Sequence, residues 1–291
     1  MLDFIINPRA NKGKARKQVK KLENYLLSKS LEYRFHYTTK EKEAINLTKE
    51  IIEHGATDII AVGGDGTINE VANGLCNLDK VRFGIIPCGS GNDFAATLKI
   101  PSNKPEKAFD IISSGNLKPI DYMECDGVRG VNIIGTGIDV EILKRCKTYS
   151  KILKGKLQYV ISLLISLIKF KFYKFKVVKN ELSEEKEALI ACVGNGKQLG
   201  GGIKICPDAI PDDGLMDFVV AKKMKKIKIP GALLKLMKGK IRDLDFISYS
   251  REKALKIIFE KPIAIQIDGE IYENLNFDVK IIHNGINMFR P

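Results

Sequence analysis

The sequence has no tryptophan, only three histidines, and no C-x-x-C pair among its six cysteines. Those gaps exclude the common zinc-ligand patterns. Cys76, Cys88, Cys125, Cys146, Cys192 and Cys206 read instead as small apolar side chains kept in a reducing compartment. A long apolar run is also missing. The longest, residues 159–168, contains Ser162 and Ser166 and stops at Lys169. About 20 residues are needed to cross a bilayer, so no span is expected. The opening run, residues 2–6, is too short for a signal-peptide core. No internal repeat or low-complexity linker is visible. These features lead to the expectation of a cytoplasmic protein, at most peripheral at the inner face of the membrane.

Acidic residues are outnumbered, 35 against 48 Lys and Arg, for a net charge of +13. Such an imbalance favours anionic partners: nucleotide phosphates, nucleic acid or an anionic membrane surface. No nucleic-acid recognition motif is present, so nucleic acid is not expected. Two basic segments bear on membranes. Residues 222–228 are lysine-rich and precede an amphipathic stretch, 231–240. Residues 169–179 mix lysines with Phe170, Phe172, Tyr173 and Phe175. Each suits an anionic lipid surface, or simply a solvated face whose aromatics enter the core.

The first 120 residues alternate between strand and helix patterns. Apolar runs at 2–6, 33–37, 58–62 and 83–86 read as strands, and 14–29, 43–54 and 67–75 have helical spacing. This alternation implies an α/β unit with a parallel sheet. From about residue 121 strand patterns dominate, at 131–134, 171–178, 188–193, 216–220, 254–259, 263–267 and 277–282. One helix is expected over 151–168. The expected fold is therefore an α/β domain with a parallel sheet followed by a mainly antiparallel all-β domain. The division is placed at residues 1–124 and 125–286, with 287–291 returning to the first domain.

The strongest motif is Gly63-Gly64-Asp65-Gly66-Thr67-Ile68-Asn69-Glu70. It is a strand end, a glycine turn and a helix start. Glycines admit phosphate oxygens close to the backbone, and the helix N-terminus offers free N–H groups to an anion. Asp65 adds a carboxylate where a Mg²⁺ accompanying phosphates could be held. Thr67-x-x-Glu70 is equally a capping box that would serve any helix. A second turn, Gly89-Ser90-Gly91-Asn92-Asp93, follows the strand at 83–86. Two such turns at the carboxyl ends of neighbouring parallel strands would face one crevice. Each carries an aspartate, which points to a nucleotide–metal site.

These two runs, with Asn7-Pro8, resemble the diacylglycerol kinase catalytic family, specifically its soluble bacterial lipid kinases. The resemblance extends to the run from Cys206 to Leu215 and to Asp268-Gly269-Glu270. It implies a Rossmann-like nucleotide-binding domain followed by a β-sandwich domain, with ATP contacts at Asn7, Pro8, Arg9, Ala10 and Asn11, and at Thr39. Further contacts are implied at Gly64, Asp65, Gly66, Thr67, Ile68, Asn69, Glu70, Ser90 and Asp93. It implies a Mg²⁺ on Asp213 with the main-chain carbonyls of Ile210 and Leu215, and Glu270 as the base that deprotonates a lipid hydroxyl. Asp65, Asp93, Asp121 and Asp268 are candidates to bind or orient Mg²⁺, directly or through water, and Asp65 and Asp268 are expected with Glu270 as the catalytic residues. From spacing alone, Asp268-Gly269 is a hairpin turn.

The leading expectation is an ATP- and Mg²⁺-dependent lipid kinase acting on diacylglycerol. The alternatives are another lipid (a sphingoid base, another glycerolipid or a polyprenol), an NAD-kinase-like enzyme with a soluble substrate, or a catalytically silent nucleotide- or lipid-binding regulator. A membrane lipid is the expected partner, and a homodimer the default assembly.

Overall fold

The computed structural model describes residues 1–149, 161–163, 165–166, 170, 172–179 and 182–291. Most of the helix expected over 151–168 lies outside the described residues, as do Lys169 and Lys171. The chain forms two compact units. One comprises Met1–Asp121 with His283–Pro291, the other Tyr122–Ile282.

The first unit is built on parallel strands β1 (Leu2–Ile6), β2 (Tyr33–Tyr37), β3 (Asp58–Gly63) and β4 (Arg82–Pro87), in the order β2–β1–β3–β4. A fifth parallel strand is the end of β15 (Phe277–Phe289), where Asn287 and Met288 pair with Arg82 and Phe83. Every residue of β3 is buried, as expected of a parallel strand covered on both faces. The covering helices are α1 (Ala15–Ser28), α2 (Glu43–Glu53), α3 (Asp65–Gly74), α4 (Asp93–Thr97) and α5 (Pro105–Ser113). Helix α1 packs on α5, and α2 on α3. Ile6 pairs with Val62, and Val62 with Ile86. The three strands thus end level, and the loops that follow emerge side by side.

Strand β5 (Leu117–Cys125) leads into the second unit, which is antiparallel. Its strands are β6 (Val128–Gly130), β7 (Ile133–Gly137), β8 (Tyr173–Lys179), β9 (Leu182–Gly194), β10 (Met216–Lys222), β11 (Ile247–Glu252), β12 (Ala254–Phe259), β13 (Ile265–Ile267), β14 (Glu270–Tyr272) and the first part of β15. The long strand β9 pairs with β7, β8 and β10. Strand alternation divides its core in two. Ala191, Val193, Phe218 and Val220 enter one apolar cluster; Cys192 and Val219 enter the other. The second cluster is covered by α6 (Ile138–Tyr149) and α7 (Ile229–Met237), whose residues pack against it.

Helix α6 and strands β11 and β14 were not expected from the sequence, and β9 is longer than expected at both ends. Helix α7 begins two residues ahead of the expected stretch, with Pro230 in its first turn, where a missing N–H is tolerated.

Candidate functional site

In the first unit, the loops after β1, β3 and β4 are tied together by backbone and short side chains. Asn7 Nδ2 donates to Thr67 Oγ1 at 3.2 Å, and Ser90 Oγ donates to Asn11 Oδ1 at 3.2 Å. The two glycine turns touch: a Cβ on Gly89 would stand 2.5 Å from the Gly64 Cα. A Cβ on Gly63 would stand 2.4 Å from Thr67 Oγ1. These glycines are therefore needed by the protein's own packing. Gly66 is different. A Cβ there would meet nothing within 4 Å, and the residue is exposed in the first turn of α3. Packing leaves its small size unexplained. Close approach of a phosphate to the α3 N-terminus would account for it, and in that respect the residues present fit a nucleotide.

Asp65 joins the two turns. Its Oδ2 accepts from the Asn92 N–H at 2.7 Å, and its Oδ1 from the Asp93 N–H at 2.8 Å. Asn92, in left-handed backbone, closes its own turn by accepting from the Gly89 N–H at 2.8 Å and donating to the Gly89 carbonyl at 3.0 Å. A Cβ on Gly91 would stand 2.9 Å from Asp65 Oδ2 and 3.4 Å from Asp93 Oδ2, so both carboxylates face one glycine. Burial, then the Asp93 charge, pushes the Asp65 carboxyl up to about 6. A pair of crowded carboxylates suits a cation that keeps its own waters. Among the described residues, no group of three or more His, Cys, Asp or Glu could hold a metal unaided.

The remaining residues expected at this site are placed more indirectly. Pro8, Arg9 and Ala10 form the turn after β1, where the Arg9 N–H donates to Asn7 Oδ1 at 3.0 Å. Ile68 and Asn69 are buried. The Glu70 carboxylate accepts from the Ala44 N–H at 3.2 Å and so reaches the start of α2. Thr39 is engaged at the same helix start, where its hydroxyl and main-chain N–H both donate to Glu43. Asp121 is wholly buried and accepts from the Asn284 N–H at 2.7 Å, with His283 Nδ1 at 2.9 Å. It anchors the returning strand, which accounts for its burial.

In the second unit, Asp268 and Gly269 both have positive φ, 49° and 93°, and link β13 to β14 as a two-residue turn. Spacing alone had suggested such a turn. The Asp268 carboxylate accepts main-chain N–H bonds from Val131 at 2.7 Å, Asn132 at 2.9 Å and Ile133 at 2.8 Å. It is a positioning group that fixes the turn against the start of β7. Glu270 is the first residue of β14, half-buried.

Asp213, implied as a Mg²⁺ ligand, is paired with an arginine. Its Oδ2 accepts from the Arg251 guanidinium, and its Oδ1 from the Leu215 N–H at 3.1 Å. Arg251 Nε also donates to Asp217 Oδ1 at 3.2 Å, and the Tyr249 hydroxyl donates to Asp217 Oδ2. One guanidinium thus serves two carboxylates. The Ile210 side chain is exposed nearby in sequence. Arg251 lies 38 residues from Asp213, too far for any local pattern to announce the pair.

The second unit also holds an open-mouthed apolar cavity of about 80 Å³. Ile142, Leu189, Ala221, Ala232, Leu236 and Phe246 are among its lining residues. Asp139 is the single charged lining residue among those described. Its Oδ1 accepts from the Val140 N–H at 2.9 Å, and the Gln266 side chain faces the same carboxyl. Burial pushes this carboxyl up to about 7.

Comparison with known proteins decides the family. The model described as "Diacylglycerol kinase catalytic domain" matches residues 2–125. The one described as "YegS C-terminal NAD kinase beta sandwich-like domain" matches residues 132–290. The chain belongs to this family of lipid kinases. A diacylglycerol kinase of Bacillus subtilis (strain 168) is 28% identical over 289 residues, covering 99% of this chain and 95% of its own. A Stenotrophomonas maltophilia (strain K279a) protein named "Probable lipid kinase YegS-like" is 27% identical over 265 residues, covering 87% and 85%. A diacylglycerol kinase crystal structure from Bacillus anthracis str. Sterne aligns with a TM-score of 0.82 at 25% identity, across 100% of this chain and 96% of that one. As a lipid kinase, the chain is an enzyme rather than a silent binder, with ATP implied as phosphoryl donor and a lipid as substrate. None of its described helices is long and apolar enough to cross a membrane.

Proposed function

We propose that this lipid kinase transfers the γ-phosphate of ATP to the free hydroxyl of diacylglycerol, giving phosphatidic acid. The first unit is read as the ATP-binding domain and the second as the lipid-substrate domain. The observation that carries the substrate is the cavity in the second unit. Its walls are those an acyl chain requires.

For the donor, the α3 N-terminus at Gly66 is read as the phosphate cradle, with Asn7 and Asn11 on the loop after β1 and Ser90 on the loop after β4 beside it. Mg²⁺, held by Asp65 and Asp93 directly or through water, would neutralise charge on the phosphate oxygens. In the transfer, the lipid oxygen bonds to the γ-phosphorus while the bond from that phosphorus to the β,γ-bridging oxygen breaks and ADP leaves. Glu270 takes the hydroxyl proton. Asp268 holds the turn that presents Glu270, through its three main-chain bonds.

The test is to fill the cavity. Ala232 is buried in its wall. Ala232→Phe should raise KM for long-chain diacylglycerol by about tenfold or more, with KM for ATP unchanged. A short-chain diacylglycerol should be affected less. An unchanged long-chain KM would move the acyl site elsewhere.

A further inference from the structure

Helix α7 carries an apolar stripe wider than the cavity needs. Ile229, Ala232, Leu233 and Leu236 line the cavity, at the spacing of one helix face. At ~100° per residue, the apolar positions from Ala232 round to Leu234 sweep roughly 200° of the helix. The outer flank of that arc is not covered. Leu234 is 62% exposed and Met237 61%, and Ile227 in the preceding turn is 85% exposed. Apolar side chains this accessible, grouped within eleven residues of sequence, mark a contact surface rather than scattered surface residues.

The charge around this flank names the partner. Residues 222–240 contain eight lysines and no acidic residue. Lys222, Lys223, Lys225, Lys228, Lys238 and Lys240 are exposed. Some charge is answered from other elements: Lys223 pairs with Glu187 at 3.0 Å, Lys228 with Asp245 at 2.7 Å, and Lys235 donates to the Asp243 carbonyl at 3.0 Å. The segment stays strongly positive. Exposed Leu, Ile and Met beside a lysine cluster is the pattern of a helix that lies in the interface of an anionic bilayer.

We infer that α7 and the turn before it, residues 222–240, dock on an anionic membrane. Ile227, Leu234 and Met237 enter the acyl region while the lysines meet lipid headgroups. One continuous apolar stripe then runs from the bilayer to the cavity wall, giving a lipid chain a path without exposure to water. The inference rests on the lipid-kinase reading and assigns the membrane contact to one of the two basic segments seen in the sequence.

The test is flotation with vesicles of phosphatidylcholine alone or with about 30% phosphatidylglycerol. The protein should float with the anionic vesicles. The triple variant Ile227→Glu, Leu234→Glu, Met237→Glu should bind them at least about tenfold more weakly, as should Lys225→Gln, Lys238→Gln, Lys240→Gln. Turnover on detergent-dispersed lipid should be unchanged in both. A folded triple variant that floats like the parent overturns the inference. A second measurement does not depend on those variants folding. The chain has no tryptophan, so Leu234→Trp places a single indole on the flank. Its emission should shift to the blue with anionic vesicles and be quenched by brominated lipid; an unchanged spectrum overturns the inference. The two readings fail separately. Vesicle docking through α7 without lipid phosphorylation would sink the proposed function alone. Phosphorylation of micellar lipid without α7-dependent docking would sink this inference alone.

Discussion

Gly89 lies against Gly64 so closely that a Cβ on Gly89 would stand 2.5 Å from the Gly64 Cα, whereas a Cβ on Gly66 would meet nothing within 4 Å. Two glycines in neighbouring turns thus serve different ends. Gly89→Ala should separate the loops, lowering both thermal stability and nucleotide affinity. Gly66→Ala should leave stability unchanged or slightly raised, since alanine favours a helix turn. It should weaken ATP binding by about tenfold or more. Calorimetric binding and thermal unfolding of the two variants check the contrast. Equal ATP affinity in Gly66→Ala and the parent would remove Gly66 from the phosphate cradle.

Much of this site is legible in the sequence because it is local. The runs Gly63 to Glu70 and Gly89 to Asp93 each lie in one strand–turn–helix, so residue type and spacing carry the geometry. Long-range chemistry is not legible in the same way. Asp65 and Asn92 meet because β3 and β4 end level, and Asp213 meets Arg251 because the chain brings β11 beside β10. Helix α6 was hidden for another reason. Ile138, Val140 and Ile142 alternate like a strand, yet all three are buried on a helix that packs against the sheet. The turn at Asp268-Gly269 was readable from the residue pair alone, because both positions need positive φ.

The Arg251 guanidinium pairs with both Asp213 and the buried Asp217. Arg251→Gln should therefore lower unfolding free energy by about 2 kcal/mol, less than a fully buried pair because the arginine is partly exposed. Without nucleotide, the parent's unfolding midpoint should be the same in Mg²⁺ and in chelator. The Arg251→Gln variant should gain a dependence on Mg²⁺. A parent that is markedly stabilised by Mg²⁺, with the effect lost in Asp213→Asn, would restore the metal to this loop.

Asp139 makes the second unit sensitive to pH. Burial raises its folded pKa to about 7 from an ordinary value of 3.8. A carboxyl raised on folding stabilises the protein below the ordinary value, and that contribution fades as pH climbs through the folded one. The ceiling is about 4 kcal/mol between pH 4 and pH 7. Asp139→Asn keeps an acceptor for Val140 and removes the titration. Urea unfolding should show the variant gaining on the parent as pH rises from 5 to 8. A constant difference would place Asp139's titration outside this range.

Glu270→Gln separates chemistry from binding. If Glu270 accepts the hydroxyl proton, kcat should fall by about a hundredfold or more. KM for ATP and the unfolding midpoint should hold. Full turnover would remove Glu270 from the mechanism, and loss of ATP binding would assign it a different role.

Transfer of label from γ-labelled ATP to a lipid panel in mixed micelles tests the central claim most directly. The panel comprises diacylglycerol, another glycerolipid, a sphingoid base and a polyprenol, run with Mg²⁺ and with chelator. The account predicts labelled phosphatidic acid that disappears with chelator. A different labelled lipid would contradict the choice of diacylglycerol. No labelled lipid from protein that binds ATP would contradict the proposed chemistry altogether.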